Sequence, residues 1–298
     1  MVTQERGLQK SYQSLMAKKY IIFSPINQYG GVALEVAFVA KVLKKIDVEL
    51  KVISLANFYE DSFVYYFDKN LNYNSIDRLL YQENPIYKGL TKLLRILKPI
   101  NVPNHFRTEN DLTKVFGYKK SRLLKIESEI AQTDVVIIAS QLTAKFNKEI
   151  IEAAYRHKKN IIFRVTGQIH EEHFKSANYT FLNKVSLYIQ HSKKNEEFLK
   201  DYLPNSKQII IDQTAFIETN LLNIPIKETS INRFFILSRL DSNKNVRLVV
   251  NAFLKLQNNN CTLHIYGDGP EEKSLKSLSK KANNIFFHGK LEYLSLIH

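Results

Sequence analysis

The chain has 298 residues, of which 44% are hydrophobic and 24% charged, and this composition excludes global disorder. A single cysteine, Cys261, excludes an intramolecular disulfide and a cysteine-rich zinc site. Because no long apolar run and no apolar signal segment is present, we expect no transmembrane helix, no secretory signal and a cytoplasmic location.

The chain is strongly basic, with 43 Lys and Arg against 29 Asp and Glu and a net charge of +14. Nucleic acid, an anionic membrane surface and a phosphorylated small molecule all attract a basic protein. The alternative is that the charge reflects only a habit of composition. No recognition helix, zinc module or aromatic RNA-binding signature is present, so we expect no nucleic-acid partner.

Strand-like apolar runs alternate with segments of helical periodicity after a polar leader, residues 1–19. The alternation predicts a parallel sheet covered by helices in a first domain over 20–218. Residues 58–120, which are basic and rich in Tyr and Asn, look like a variable insertion in this domain. The predicted strands are 20–24, 48–55, 134–140, 160–165, 185–190 and 208–212, and the predicted helices are 32–45, 143–157 and 193–202.

The alternation restarts after a predicted linker at 219–233 and predicts a second doubly wound unit over 234–298. We expect this unit to be incomplete, because doubly wound domains usually need roughly 100 residues or more. Cys261, at the start of one of its strands, is expected in the core. The predicted strands are 234–238, 262–266 and 285–288, and the predicted helices are 246–257 and 271–281.

An amphipathic basic helix is predicted within residues 86–100. One interpretation is that this helix binds an anionic membrane or a charged acceptor. The other is a surface helix whose apolar stripe packs on its own domain. The apolar face consists of Ile86, Leu90, Leu93, Leu94 and Leu97, and the basic face of Lys88, Lys92, Arg95 and Lys98.

Two cations flank a predicted turn in the segment Ser238-Arg-Leu-Asp-Ser-Asn-Lys-Asn-Val246. Arg239 ends a predicted strand, and Lys244 precedes a helix for which Asn245 is the expected N-cap. A helix N-terminus with two cations nearby favours an anion, and Arg can bind phosphate oxygens in bidentate fashion. The alternative is two solvated loop cations.

Two glycine-rich turns follow predicted strands. Gly267, Asp268 and Gly269 form a tight strand-to-helix turn, which by itself is typical of a structural element. Gly30 and Gly31 lie between the first strand and the first helix, where a glycine pair permits either a flexible turn or the close approach of a ligand.

Together, the Arg-Leu-Asp-x-x-Lys turn, Tyr-Gly-Asp-Gly-Pro-Glu and Phe-Phe-His-Gly resemble the donor-binding half of family 4 glycosyltransferases. The resemblance is good over 234–290 and weaker over 20–218. It implies a GT-B fold, in which two Rossmann-like domains flank the active site. It also implies transfer of a sugar from a nucleoside-diphosphate sugar with retention of configuration, and neither a metal nor another cofactor.

The resemblance assigns roles to particular residues. Arg239 and Lys244 match the pair that binds the donor diphosphate, and they would stabilise charge on the departing nucleoside diphosphate. The Gly30-Gly31 pair matches the glycine-rich loop that approaches donor and acceptor. The turn from Gly267 to Gly269 would lie near the donor site.

The sequence departs from the family pattern at several positions. Ser238 and Asn245 stand where the pattern usually has glycine. The histidine that often faces the reacting sugar is replaced by Thr166, with His170 and His173 as alternative catalytic candidates, although a loop histidine is more often only solvated.

The family's second donor motif, two glutamates separated by seven residues, is not found after Gly289. The resemblance therefore predicts either a truncated glycosyltransferase or half of a split enzyme, completed by a second chain. We expect transfer to a cell-surface polysaccharide or lipid-linked acceptor, on the inner face of the cytoplasmic membrane. The alternative is an inactive fragment that acts as a binding module.

Overall fold

A computed structural model describes residues 18–86, 88–89, 92, 96, 117–175, 179–212, 218, 222–225, 232–256 and 260–291. The chain divides into two compact units, Met1–Glu218 and Thr219–His298. No helix among the described residues is both long and apolar enough to cross a membrane.

The first unit contains a seven-stranded parallel sheet in the order β3-β2-β1-β4-β5-β6-β7. The sequence predicted six of these strands. The strands are β1 (Lys19–Ser24), β2 (Glu49–Ser54), β3 (Tyr73–Ser75), β4 (Val135–Ser140), β5 (Asn160–Val165), β6 (Leu187–Gln190) and β7 (Gln208–Ile210). The helices are α1 (Gly31–Lys44), α2 (Ile76–Glu83), α3 (Tyr118–Ala131), α4 (Asn147–Arg156), α5 (Glu172–Lys175) and α6 (Lys193–Tyr202).

The central strands are apolar on both faces because helices cover both sides of the sheet. In β1, Ile21 and Phe23 belong to one buried cluster, whereas Tyr20 and Ile22 belong to the cluster on the other face. All six residues of β4 are buried. This two-sided burial explains why the strands appear in the sequence as continuous apolar runs.

The interpretation of residues 58–120 as an insertion is wrong for part of that segment. β3 pairs in parallel with β2 at the edge of the sheet. The Ser75 hydroxyl then caps α2 by accepting a hydrogen bond of 3.2 Å from the Arg78 backbone N–H. A three-residue strand is too short to produce a periodic signal, so the sequence pattern did not reveal it.

The helix predicted at 143–157 begins four residues later than expected. Phe146 has a φ of 74°, and this left-handed conformation ends any helical path from the preceding loop. The Asn147 side-chain amide instead donates to the carbonyls of Gln141 and Leu142, at 2.8 and 3.0 Å. The loop after β4 is therefore held closed by hydrogen bonds.

Only part of the predicted basic helix is described. Ile86, on its apolar face, is 61% exposed, and Lys88 and Lys92 are exposed as well. The interpretation that the apolar stripe packs on its own domain therefore fails at Ile86. The remaining members of the two faces lie outside the described residues: Leu90, Leu93, Leu94, Arg95, Leu97 and Lys98.

The second unit contains a three-stranded parallel sheet in the order β10-β9-β8. Its core includes Val250, Leu263 and Cys261, which confirms the expected burial of the cysteine. Arg233 pairs with Thr262 in the sheet, so its assignment to the linker was wrong. The elements are β8 (Arg233–Leu237), α7 (Val246–Lys255), β9 (Thr262–Tyr266), α8 (Glu272–Leu278) and β10 (Ile285–Gly289).

Candidate functional site

The strand order of the first unit reverses between β1 and β4. In open parallel α/β sheets, ligands bind outside the carboxyl ends of the strands at such a point, because the flanking loops diverge there. Gly30 and Gly31 follow β1, and Thr166 directly follows β5. The fold therefore brings these sequence candidates to one edge of the sheet.

The space around the backbone of Gly30 and Gly31 is unoccupied by other atoms of the described residues. Gly30 has a φ of 126°, which favours glycine, and a Cβ at either position would meet no atom within 4 Å. Helix α1 begins at Gly31 without a side-chain cap. The loop before it is anchored by two hydrogen bonds, from Phe63 N–H to the Gln28 carbonyl at 2.9 Å and from the Ser62 hydroxyl to the Asn27 carbonyl at 3.1 Å.

Arg164 connects helix α1 to the sheet, a role that was not recognised from the sequence. Its buried guanidinium donates to Glu35 of α1 at 2.5 Å and to the carbonyls of Gln190 and Ile211 at 3.1 and 3.0 Å. A buried cation needs such partners to offset the cost of desolvation. The available signal was an arginine among the apolar residues of the strand Asn160–Val165.

Thr166 and His170, the catalytic candidates, have different environments. Thr166 is buried, and its N–H donates to the Ser140 carbonyl at 3.0 Å. His170 is exposed, and of His173 only the helical backbone is described. Between the first two, Gly167 has a φ of 102°, and its carbonyl accepts a hydrogen bond of 2.8 Å from Asn195. Thr166 is therefore built into the sheet edge, whereas His170 is accessible.

In the second unit, the cation-bearing loop and the glycine turn interlock through their backbones. The Ser238 N–H donates to the Tyr266 carbonyl at 3.1 Å, and the Leu240 N–H donates to the Asp268 carbonyl at 2.8 Å. A Cβ on Gly267 would lie only 1.8 Å from the Ser238 carbonyl oxygen. The two motifs thus form one rigid structure, for which glycine is required.

Gly269 makes the same kind of close approach. A Cβ at this position would lie 2.4 Å from the Leu240 carbonyl oxygen, and its φ of 155° also disfavours a side chain. The Leu240 carbonyl accepts a hydrogen bond of 3.0 Å from the Glu271 N–H. Both glycines of the turn therefore pack directly against the backbone of the loop that carries Arg239.

The Arg239 side chain lies at the surface of this interlocked loop. It is 71% exposed and forms an ion pair with Asp241, with N–O distances of 2.6 Å from Nε and 2.5 Å from Nη2. Asp241 also accepts a hydrogen bond of 3.1 Å from the Asn243 N–H. Lys244 is exposed at the end of the same loop, one residue before the N-cap of α7. An anion can therefore reach both cations.

Asn245 precedes α7 as expected, but it makes no side-chain capping bond. Its φ of 53° and ψ of 28° place it in the left-handed region. Among residues other than glycine, Asn tolerates this region best. This geometry explains how Asn can occupy a position where the family pattern usually has glycine.

We expect Asn245→Gly to stay within about 0.5 kcal/mol of the wild-type stability, because glycine adopts the same conformation without strain. Asn245→Val should destabilise the second unit by about 1–2 kcal/mol, since a β-branched residue is strained there. Hydrogen exchange of the α7 amides measures both changes. Equal stability of the two variants would contradict a left-handed conformation.

Ser238, the other departure from the glycine pattern, has no comparable backbone requirement. It is not among the described residues with positive φ. Its hydroxyl oxygen is buried without a hydrogen-bond partner among the described residues. The described residues also contain no group of three or more His, Cys, Asp or Glu that could hold a metal ion.

The chain is similar to known proteins in the sequence of its second unit and in its fold. A family model described as "Glycosyl transferases group 1" matches residues 221–298. No curated protein sequence matches the chain. Anabaena Alr3699/HepE, solved in complex with UDP and glucose, is similar in structure, with 14% identity and a TM-score of 0.58. The match covers 92% of this chain and 70% of that one.

Two further solved structures are similar. The pneumococcal O-GlcNAc transferase GtfA, in complex with UDP and GlcNAc, has 12% identity and a TM-score of 0.58, covering 93% of this chain and 76% of that chain. A variant of S. aureus TarM, in complex with Fondaparinux, alpha-GlcNAc-glycerol and UDP, has 11% identity and a TM-score of 0.59. This match covers 92% of this chain and 78% of that one.

Similarity at these identities is informative about fold. The predicted α/β architecture, GT-B-like with Rossmann-like parallel sheets, is confirmed. The second unit, which contains the interlocked Arg239 loop and glycine turn, is the part of the chain that resembles glycosyl transferases group 1.

Proposed function

We propose that this protein is a glycosyltransferase that moves a sugar from a nucleoside-diphosphate sugar, with Arg239 and Lys244 as the donor-diphosphate site. The observation that carries the proposal is the interlocked loop, which presents two accessible cations beside a helix N-terminus within the unit that matches glycosyl transferases group 1. Similar structures that contain UDP with glucose or GlcNAc support a uridine nucleotide as donor.

In this mechanism, the two cations stabilise the negative charge that develops on the departing diphosphate. Arg239 must exchange its ion pair with Asp241 for phosphate oxygens, or bind both, because Asp241 accepts from Nε and Nη2. Lys244 supplies a mobile second charge. Retention of anomeric configuration follows from the resemblance to family 4 enzymes and is part of the proposal.

The first unit is proposed to bind the acceptor. The glycine pair at the strand-order reversal lets a ligand approach the backbone N–H groups at the start of α1. His170, which is exposed, is a candidate for proton transfer, whereas buried Thr166 is better placed to shape the site through its backbone.

Release of UDP from UDP-glucose and from UDP-N-acetylglucosamine tests the function. We expect the chain to bind UDP and to release it from one of these donors over hours, because glycosyltransferases transfer slowly to water when the acceptor is absent. UDP binding without release would favour the alternative, a binding module or half of a split enzyme.

We also propose that the protein binds to the anionic inner face of the membrane, where a lipid-linked acceptor would be located. Lys88 and Lys92 are exposed, and the apolar Ile86 and Ile96 of the same segment are 61% and 76% exposed. Exposed lysines next to exposed large aliphatic side chains are typical of a helix that lies on an anionic bilayer. The net charge of +14 adds long-range attraction.

Vesicle flotation tests this location. Each lysine near an anionic surface contributes about 1 kcal/mol, so Lys88→Ala with Lys92→Ala should weaken binding to phosphatidylglycerol vesicles about 30-fold. The matched control, Lys193→Ala with Lys200→Ala on α6, removes the same charge elsewhere on the first unit. Equal loss in both double variants would indicate that only net charge matters.

A further inference from the structure

A cavity of about 630 Å³, open to solvent, lies in the first unit between the segment 58–69, which follows β2, and Arg78 of helix α2. Its volume is within the range of roughly 300–1,000 Å³ that is typical of small-molecule sites. The donor site proposed above does not use this cavity. It is lined by aromatic and charged side chains, among them Phe58, Glu60, Asp61, Tyr65, Lys69 and Arg78.

Arg78 is held in place by stacking, and its donors are left unused. The guanidinium carbon lies 3.8 Å from the ring centroid of Phe58, which in turn stacks on Tyr73 at 5.1 Å and 24°. The half-buried guanidinium donates no hydrogen bond and forms no ion pair within the described part of the chain. A guanidinium has five N–H donors, so the cavity contains an oriented group whose donors are available to a ligand.

Asp61 supplies the complementary acceptor. Its carboxylate accepts hydrogen bonds from Gln28 Nε2 at 2.7 Å and from the Tyr29 hydroxyl at 3.1 Å. The Gln28 hydrogen bond holds the pKa of Asp61 below its usual value. Because Gln28 and Tyr29 precede Gly30 directly, these contacts connect the cavity to the glycine loop.

The combination of groups indicates the class of ligand. Saccharide hydroxyls both donate and accept hydrogen bonds, so they match a wall that contains two carboxylates and two cations. An aromatic ring such as that of Tyr65, which meets Tyr73 only edge-on, can cover the apolar C–H face of a sugar ring. A diphosphate would be repelled by Glu60 and Asp61, and a lipid chain would desolvate four charged groups.

We infer that this cavity binds a saccharide and that, given the proposed function, its occupant is a sugar unit of the acceptor glycan. Arg78 and Lys69 donate to ring hydroxyls, and Asp61 accepts from them. The contacts of Asp61 with Gln28 and Tyr29 position the occupied cavity beside the glycine loop.

Saturation-transfer-difference NMR on the full chain tests the inference, with glucose, galactose and N-acetylglucosamine as separate probes. We expect saturation transfer to at least one of them, and an apparent affinity about tenfold lower in Arg78→Gln, because charge-assisted hydrogen bonds are lost. Lys69→Ala, at an exposed position, should also weaken binding without affecting folding. The matched control is Arg156→Ala, an arginine of the same unit that pairs with Glu127 outside the cavity.

The inference is overturned if none of the three sugars receives saturation from the wild-type chain, or if both cavity variants bind as the wild type does. UDP titration of the same samples reports separately on the proposed donor site, and we expect Arg78→Gln to leave UDP affinity unchanged. If the chain binds a saccharide but not UDP, the saccharide cavity is supported and the proposed donor site is refuted. Loss of UDP affinity in Arg78→Gln would contradict a separate acceptor cavity.

Discussion

Arg239→Ala is expected to weaken UDP binding by roughly 10- to 150-fold, which corresponds to about 1.5–3 kcal/mol for charge-assisted hydrogen bonds to phosphate. Lys244→Ala should have a smaller effect, since a mobile ammonium makes fewer directed contacts than a guanidinium. The double variant should show no binding at millimolar UDP. Isothermal titration calorimetry at low and at physiological ionic strength measures these losses.

Arg233→Ala is the matched control for this prediction. Arg233 is also an exposed arginine of the second unit, but it begins β8, whereas Arg239 follows the end of the strand. The two lie about 20 Å apart along the strand direction. Unchanged UDP affinity in Arg239→Ala would refute the assigned site. Equal losses of UDP affinity in Arg233→Ala and Arg239→Ala would show that only the net charge of the unit affects UDP binding.

Gly267→Ala should destabilise the second unit by about 2–5 kcal/mol. The new Cβ would lie 1.8 Å from the Ser238 carbonyl oxygen, and this atom is backbone that cannot rotate away. Overpacking of this kind costs about 1–3 kcal/mol, and the φ of 137° adds about 1–2 kcal/mol of backbone strain. Hydrogen exchange of the β9 and β10 amides reports the stability of this unit separately from that of the first.

Substitutions at two other glycines distinguish the cost of steric overlap from the cost of backbone strain. Gly289 has a φ of 74°, but a Cβ there would meet no described atom within 4 Å, so Gly289→Ala should cost only the strain, about 1–2 kcal/mol. Gly31 has neither feature, and Gly31→Ala should lie within about 0.5 kcal/mol of the wild type or stabilise it. Equal effects at Gly267 and Gly289 would contradict the close approach to Ser238.

Close approach also accounts for the pairing of the two sequence motifs. The segment around Arg239 and the turn around Asp268 could each have been explained as an ordinary loop. The hydrogen bonds between Leu240 and Asp268 and between Ser238 and Tyr266 make them parts of one structure. A substitution that disturbs the glycine turn should therefore lower both the UDP affinity and the stability of the second unit, because the backbone on either side of Arg239 is no longer held by these hydrogen bonds.

Much of the architecture could be predicted from the sequence because it depends on local patterns. Largely apolar runs identified β1, β4 and β5, since most residues on both faces of these strands are buried. Helical spacing identified α1 and α6 to within one residue of their observed bounds. The two cations and the glycine turn were recognisable because each motif lies within a single strand–loop–helix segment.

Features that depend on contacts between distant segments were decided only by the tertiary structure. β3 pairs with β2 through three residues and leaves no periodic signal. Arg164 finds its partner in Glu35, 129 positions earlier in the chain, and Asp61 finds Gln28 33 positions earlier. The sequence shows which residues are charged, but the partner that each charge finds follows from strand order and packing, which bring remote segments to one edge of the sheet.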